Sequence, residues 1–283
     1  MKFGINTLLF SFPFTNDSTA LFDQFRSWGF DSVELAVADA SDIDPAHVKA
    51  ELDRTGLTCS AFCALMGPDR DLRGDKSQQK NAADYIEAML QQMAVVNCPK
   101  LVGPLYSSVG RTEGYSDEEK AAHWKCVADH LARLAETAHA RGQQLSLEPL
   151  NRFETDMINT AEQGLRMLDD VGHPALTLHL DTFHMNIEEK DSADAIRRAG
   201  DRLGHLHACG SDRGTPGKDH IDWESIVAAL QEVGYDGDAV IESFTLDVTM
   251  IARAAAIWRR IEPTRDEIAV EGLEFLKQAF GER

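Results

Sequence analysis

Eight short apolar runs, separated by longer stretches with apolar residues at helical spacing, constrain this chain more than any other feature. The runs are Lys2 to Leu8, Ser32 to Ala36, Thr58 to Ala64, Lys100 to Gly103, Gln144 to Glu148, Leu176 to Asp181, Leu203 to His207 and Asp238 to Glu242. Alternation of this kind predicts βαβ units and a parallel sheet. Pro45 to Thr55, Gln79 to Val96, Ser116 to Arg141 and Trp223 to Val233 read as amphipathic helices between them. Gly29, Gly56, Gly142, Gly172 and Gly234 each follow a helical pattern and shortly precede a strand, where a left-handed residue ends a helix. The length of 283 residues matches the ~250 that a closed barrel uses in one unit. No GxGxxG follows the first run, which disfavours an open dinucleotide-binding sheet. The expectation is therefore an α/β fold, a (β/α)8 TIM barrel, forming a single domain over residues 1–283.

Charge narrows the function classes. Lys and Arg total 28 against 47 Asp and Glu, a net charge of −19. Such a field repels nucleic-acid backbones and anionic membrane surfaces, so neither is an expected partner. The five cysteines, Cys59, Cys63, Cys98, Cys126 and Cys209, show no CxxC spacing and fit reduced thiols in a cytoplasmic protein. Leu8 to Phe14 is apolar but short and interrupted by Pro13, so neither a signal peptide nor a membrane span is expected.

The last four runs each end in a side chain able to hold a metal: Glu148, Asp181, His207 and Glu242. They lie about one strand-loop-helix unit apart, and barrel active sites are built at the C-terminal ends of strands. Three carboxylates and one imidazole suit a hard or borderline divalent cation, Mn2+, Mg2+ or Co2+, better than structural zinc. A lone strand-terminal acid is more often a cap or loop anchor. Four on adjacent strands form a cluster that repels itself without a cation. His179 and His205 share a face with the ligand positions two residues on and receive no role. For Glu34, inside an apolar run, a structural hydrogen bond is at least as good a reading as chemistry.

Two strings carry a family resemblance: Leu147-Glu148-Pro149-Leu150-Asn151-Arg152-Phe153-Glu154 and Leu180-Asp181-Thr182-Phe183-His184-Met185-Asn186-Ile187-Glu188-Glu189. They resemble the ketose 3-epimerases, which act on sugars such as D-tagatose, D-allulose (psicose) and L-ribulose. The match runs from Gln144 to Phe244 and takes in His205-Leu206-His207, Arg213, Pro216-Gly217, Trp223 and Glu242-Ser243-Phe244. The first half resembles only the wider xylose isomerase-like barrels. The resemblance implies inversion at C3 of a free ketose through a metal-bound cis-enediolate. Mn2+ would lie on Glu148, Asp181, His207 and Glu242, with Glu148 and Glu242 also serving as proton carriers. Glu154, His184 and Arg213 would bind substrate, a monosaccharide, and the protein would be a dimer or tetramer. One departure is Gly210, where these enzymes usually carry Glu. Asn6, Phe10, Cys63 and Tyr106 stand where further substrate-facing residues are expected.

Three rivals share the barrel. An aldose-ketose isomerase and a keto-sugar or inosose lyase would use the same metal site. A phosphodiester hydrolase like endonuclease IV needs several metals, many histidines and basic loops, and the acidic charge weighs against it. Lys100, Arg111 and Lys218 together would be a phosphate site, although surface solvation is the better reading. The tail from Pro263 to Phe280 reads as an amphipathic helix that closes the barrel or meets a second subunit.

Overall fold

A computed structural model of the chain describes residues 1–281. Its strands are β1 (Lys2–Asn6), β2 (Ser32–Leu35), β3 (Thr58–Cys63), β4 (Lys100–Gly103), β5 (Gln144–Leu147), β6 (Leu176–Asp181), β7 (Leu203–His207) and β8 (Asp238–Ile241). They pair in parallel and in sequence order, and β8 returns to β1 to close the barrel. The helices are α1 (Leu21–Trp28), α2 (Pro45–Thr55), α3 (Lys76–Val96), α4 (Asp117–His139), α5 (Ala161–Val171), α6 (Thr182–Glu188), α7 (Ser192–Ala199), α8 (Trp223–Glu232), α9 (Thr249–Ala254) and α10 (Arg265–Ala279). This is the (β/α)8 architecture that the eight runs predict.

Strand parity sorts the side chains. Phe3, Ile5, Val33 and Leu35 belong to the apolar layer shared with the helices, while their neighbours Asn6 and Glu34 meet inside the barrel. Polar residues at alternate positions thus line the interior, and the carboxyl ends of the strands aim them at one mouth. Five strands, β1, β2, β3, β5 and β8, are shorter than the apolar runs suggest. The ladders of β5 and β8 stop at Leu147 and Ile241, so Glu148 and Glu242 stand just beyond the sheet. Helix starts lie earlier than the apolar spacing implies where a cap sets them. Asp75 and Gln78 form a reciprocal capping box that begins α3 at Lys76.

Helix α10 buries Ile268, Ala269, Leu273 and Leu276 against the barrel, so the apolar face of the tail closes the barrel. All five cysteines are free. No helix among the described residues is long and apolar enough to cross a membrane. Lys100, Arg111 and Lys218 do not converge. Lys100 donates to the Gly204 carbonyl beneath the sheet, Arg111 pairs with Asp71 above it, and Lys218 pairs with Glu262 on the surface. A phosphate site built from the three is excluded.

Candidate active site

The β6-to-α6 junction shows how the chain builds its site. Asp181 ends the strand and caps the helix, its Oδ1 accepting the Phe183 N–H at 2.7 Å. One helical turn later His184 falls on the same side, with Nε2 3.8 Å from Asp181 Oδ2 and 3.9 Å from Glu148 Oε1. Register puts His207 beside Asp181 on the neighbouring strand. His207 Nδ1 lies 3.9 Å from Glu148 Oε1 and 3.4 Å from Glu242 Oε2. The four residues at the carboxyl ends of β5 to β8, Glu148 and Glu242 just past their ladders, therefore face one space, and all four are buried.

Their electrostatics call for a cation. Burial raises the carboxyls of Glu148 and Asp181 above the usual range, and the neighbouring acids add to the shift. At Glu242 burial acts in the same sense, but the charges of His207 and Arg213 outweigh it and hold the group low. Two overlapping groups, Glu148 with Asp181 and His207, and Glu34 with His207 and Glu242, have donor atoms within 4.8 Å of one another. Glu34 meets His207 at Nε2, the opposite ring nitrogen from the Nδ1 that faces Glu148 and Glu242, and also accepts from Asn6 and His205, so it stands behind the histidine and not beside the candidate ligands. Glu148 Oε1 and His207 Nδ1 are buried with no hydrogen-bond partner, as two lone-pair donors awaiting a metal would be. The residues present fit a divalent ion.

Arg213 faces the same space from the loop after β7. Its Nη1 donates to Asp181 Oδ2 at 2.7 Å and Glu242 Oε2 at 3.0 Å. The guanidinium is held between the rings of Phe183, 4.0 Å away, and Phe244, 4.8 Å away. Arg213 has φ of +67°, a left-handed conformation that costs about 1–3 kcal/mol in a residue with a side chain and persists where surroundings enforce it. Gly210 accepts the Arg213 N–H on its carbonyl. A Cβ there would come within 3.1 Å of Gly214 O, so the departure at Gly210 belongs to the turn that presents Arg213.

His184 is fixed from behind. The Asn151 backbone N–H donates to its Nδ1 at 3.0 Å, so the ring proton resides on Nε2. Burial and the nearby Arg213 charge keep the ring neutral. Nε2–H then meets Arg213 Nη2 at 3.1 Å. Two donors this close cannot bond to each other, and an oxygen accepting from both resolves the conflict. Asn151 Nδ2 also donates to Glu154 Oε1 at 2.8 Å, tying the half-buried Glu154 to the same corner. The sequence reading missed Asn151, although it stands inside the quoted string between Glu148 and Glu154.

The other expected residues divide. Asn6 reaches the cluster, its Nδ2 donating to Glu34 Oε1 and Glu242 Oε1. Cys63 lies in an apolar group with Leu8 and Phe244. Phe10 packs on Phe25 and Trp28. Tyr106 is fully buried and gives its hydroxyl to the Ile158 carbonyl, so it holds two loops together and offers no hydroxyl to a substrate.

The sequence profile of the xylose isomerase-like TIM barrel family matches residues 22–279. A probable ketose 3-epimerase of Synechocystis sp. is 34% identical over 281 residues, 99% of this chain and 97% of its own. Among solved structures, the D-allulose 3-epimerase of Methylomonas sp. in complex with D-allulose superposes with a TM-score of 0.91 at 30% identity, covering 99% of this chain and 97% of that one. The D-psicose 3-epimerase of Clostridium cellulolyticum H10 with D-tagatose gives 0.89 at 30% identity, covering 99% of each chain.

Proposed function

The chain belongs to the ketose 3-epimerase family of xylose isomerase-like TIM barrels, and from that premise we propose that it inverts C3 of a free ketose of the D-tagatose, D-fructose, D-allulose or L-ribulose type. The observation that carries this reading is the convergence of Glu148 and Glu242 on one buried space from strands three apart around the barrel. Inversion needs proton removal on one face of C3 and delivery on the other, which two such carboxylates supply.

Glu148, Asp181, His207 and Glu242 would hold one divalent cation, Mn2+ in first place, with Co2+ or Mg2+ as substitutes. When bound, such an ion polarises the ketose carbonyl and adjacent hydroxyl, acidifies the neighbouring C–H bond and stabilises the enediolate. Glu148 and Glu242 take the C3 proton on one side and return it on the other, and their roles exchange when the reaction runs backwards. His184 Nε2–H and Arg213 Nη2, 3.1 Å apart, share one oxygen near the carbonyl end and offset the charge that develops there. Glu154, held by Asn151, accepts from a hydroxyl and orients the sugar. Asp181 and His207 remain ligands throughout.

NMR of the Mn2+-loaded protein with each ketose in D2O tests this. Deuterium at C3 together with the C3 epimer is expected. Label at C1 or C2 with an aldose product would replace the reading by the aldose-ketose isomerase. No exchange with any free ketose, joined to a loss of water from an oxidised sugar, would replace it by the lyase. Arg213→Lys supplies a second check. Lysine keeps the charge but loses the planar donor pair, and a charged hydrogen bond is worth about 1.5–3 kcal/mol. kcat/KM should fall about 10- to 100-fold with Mn2+ affinity retained, and an unchanged kcat/KM would remove Arg213 from substrate binding.

A further inference from the structure

Glu34 is fully buried at the middle of the barrel, and three donors from two other strands, β1 and β7, point at its two oxygens. His207 Nε2 reaches Oε1 at 2.9 Å, Asn6 Nδ2 reaches the same oxygen at 2.6 Å, and His205 Nε2 reaches Oε2 at 2.6 Å. We infer that Glu34 is the positioning residue of the metal centre, the group that turns the lone pair of His207 and one edge of Glu242 toward the cation. The inference rests on the metal reading given above.

The geometry leads there in two steps. First, a carboxylate accepts and cannot donate, so the Nε2 of His207 must carry the ring proton. In the neutral ring that binds a metal, the lone pair is then forced onto Nδ1, which lies 3.4 Å from Glu242 Oε2 with no hydrogen-bond partner of its own. A carboxylate behind a metal-binding histidine is the usual device for fixing its tautomer and raising its basicity. Second, Asn6 passes the constraint on to Glu242. Register pairs Asn6 with Glu34 on one side, while Ile5 pairs with Ile241 on the other, so Asn6 stands between the two acids. Its Oδ1 accepts the Leu8 N–H at 2.9 Å, which leaves the amide one orientation, with the NH2 donating to Glu34 Oε1 and, at 3.1 Å, to Glu242 Oε1. Glu242 Oε2 is thereby turned toward His207. One carboxylate on the second strand thus orients two candidate ligands on the seventh strand and just beyond the eighth.

Two variants and one spectrum test the inference. Glu34→Leu removes all three acceptor contacts, whereas Glu34→Gln keeps one acceptor oxygen and loses the charge. Mn2+ affinity, read from the EPR signal of free Mn2+, is expected to weaken about 10- to 100-fold, more in E34L than in E34Q. In Mg2+-loaded wild-type protein labelled with 15N histidine, His207 should carry its proton on Nε2, and this requires no variant to fold. A merely structural role would lower the melting temperature of both variants and leave Mn2+ affinity unchanged. Wild-type affinity in both variants, or a wild-type His207 protonated at Nδ1, overturns the inference. Wild-type protein that does not bind Mn2+ overturns it together with the metal reading. Wild-type protein that binds the ion with this tautomer but exchanges no ketose proton supports it and removes only the proposed reaction.

Discussion

Replacing Glu242 with glutamine is expected to abolish C3 inversion, lowering the rate by about 100- to 10,000-fold, the range associated with a positioned acid-base group. The side chain keeps its shape, so Asn6, Arg213 and His207 keep a neighbour of the same size around it. What it loses is the ability to hold a proton and give it back. Because Glu242 is also a candidate ligand, the measurement is made at saturating Mn2+ beside Asp181→Asn, which removes a ligand without removing a proton carrier. D181N should regain most of its rate as Mn2+ rises, and E242Q should not.

Two carriers on opposite faces make a sharper demand. E242Q should still exchange the C3 proton of the epimer whose proton Glu148 removes, without inverting it. E148Q should do the same for the other epimer. If either variant inverts within tenfold of wild type, or if both lose exchange on the same epimer only, the two-carboxylate assignment fails. Arg213 would not compensate in either case, because its guanidinium stays protonated across the accessible pH range.

The barrel was legible because eight apolar runs at regular intervals leave few ways to bury them, and glycines at helix ends mark the intervals. The strand-end residues were legible for a related reason: in a barrel the last residue of each strand has a known direction. Glu34 was not legible in the same way. Its partners are 171 and 173 positions away in His205 and His207, and nothing near Ser32-Val33-Glu34-Leu35 marks a lone acid as paired. Asn6 and Glu242, 236 positions apart, meet only because the sheet closes on itself. Tyr106 misled for the opposite reason. The family resemblance puts it at a substrate-facing position, but its hydroxyl serves the carbonyl of Ile158. The helical nature of Thr182–Glu188 was hidden inside a string read for its side-chain types, and it is this helix that brings His184 back over Asp181.

Chelation of the protein should remove activity completely, and added Mn2+ should restore it. Glu148, Asp181 and Glu242 share a buried space beside His207, into which Arg213 brings one positive charge. An ion that binds the folded chain and not the unfolded one also stabilises it, by about 2.7 kcal/mol at one hundred times Kd. For a protein near this size each kcal/mol moves the melting temperature by roughly 2–4 °C, so Mn2+ should raise it by about 5–10 °C over the chelated form. Zn2+ is expected to compete for the site, since it accepts imidazole and carboxylate oxygen alike, but a site of hard oxygen donors should reach its highest rate with Mn2+, Co2+ or Mg2+. Full activity after exhaustive chelation would sink the metal assignment. A melting temperature that rises with Mn2+ while activity does not would keep the site and detach it from the chemistry, because binding the ion requires the four ligands whereas turning over a ketose also requires two of them to carry a proton.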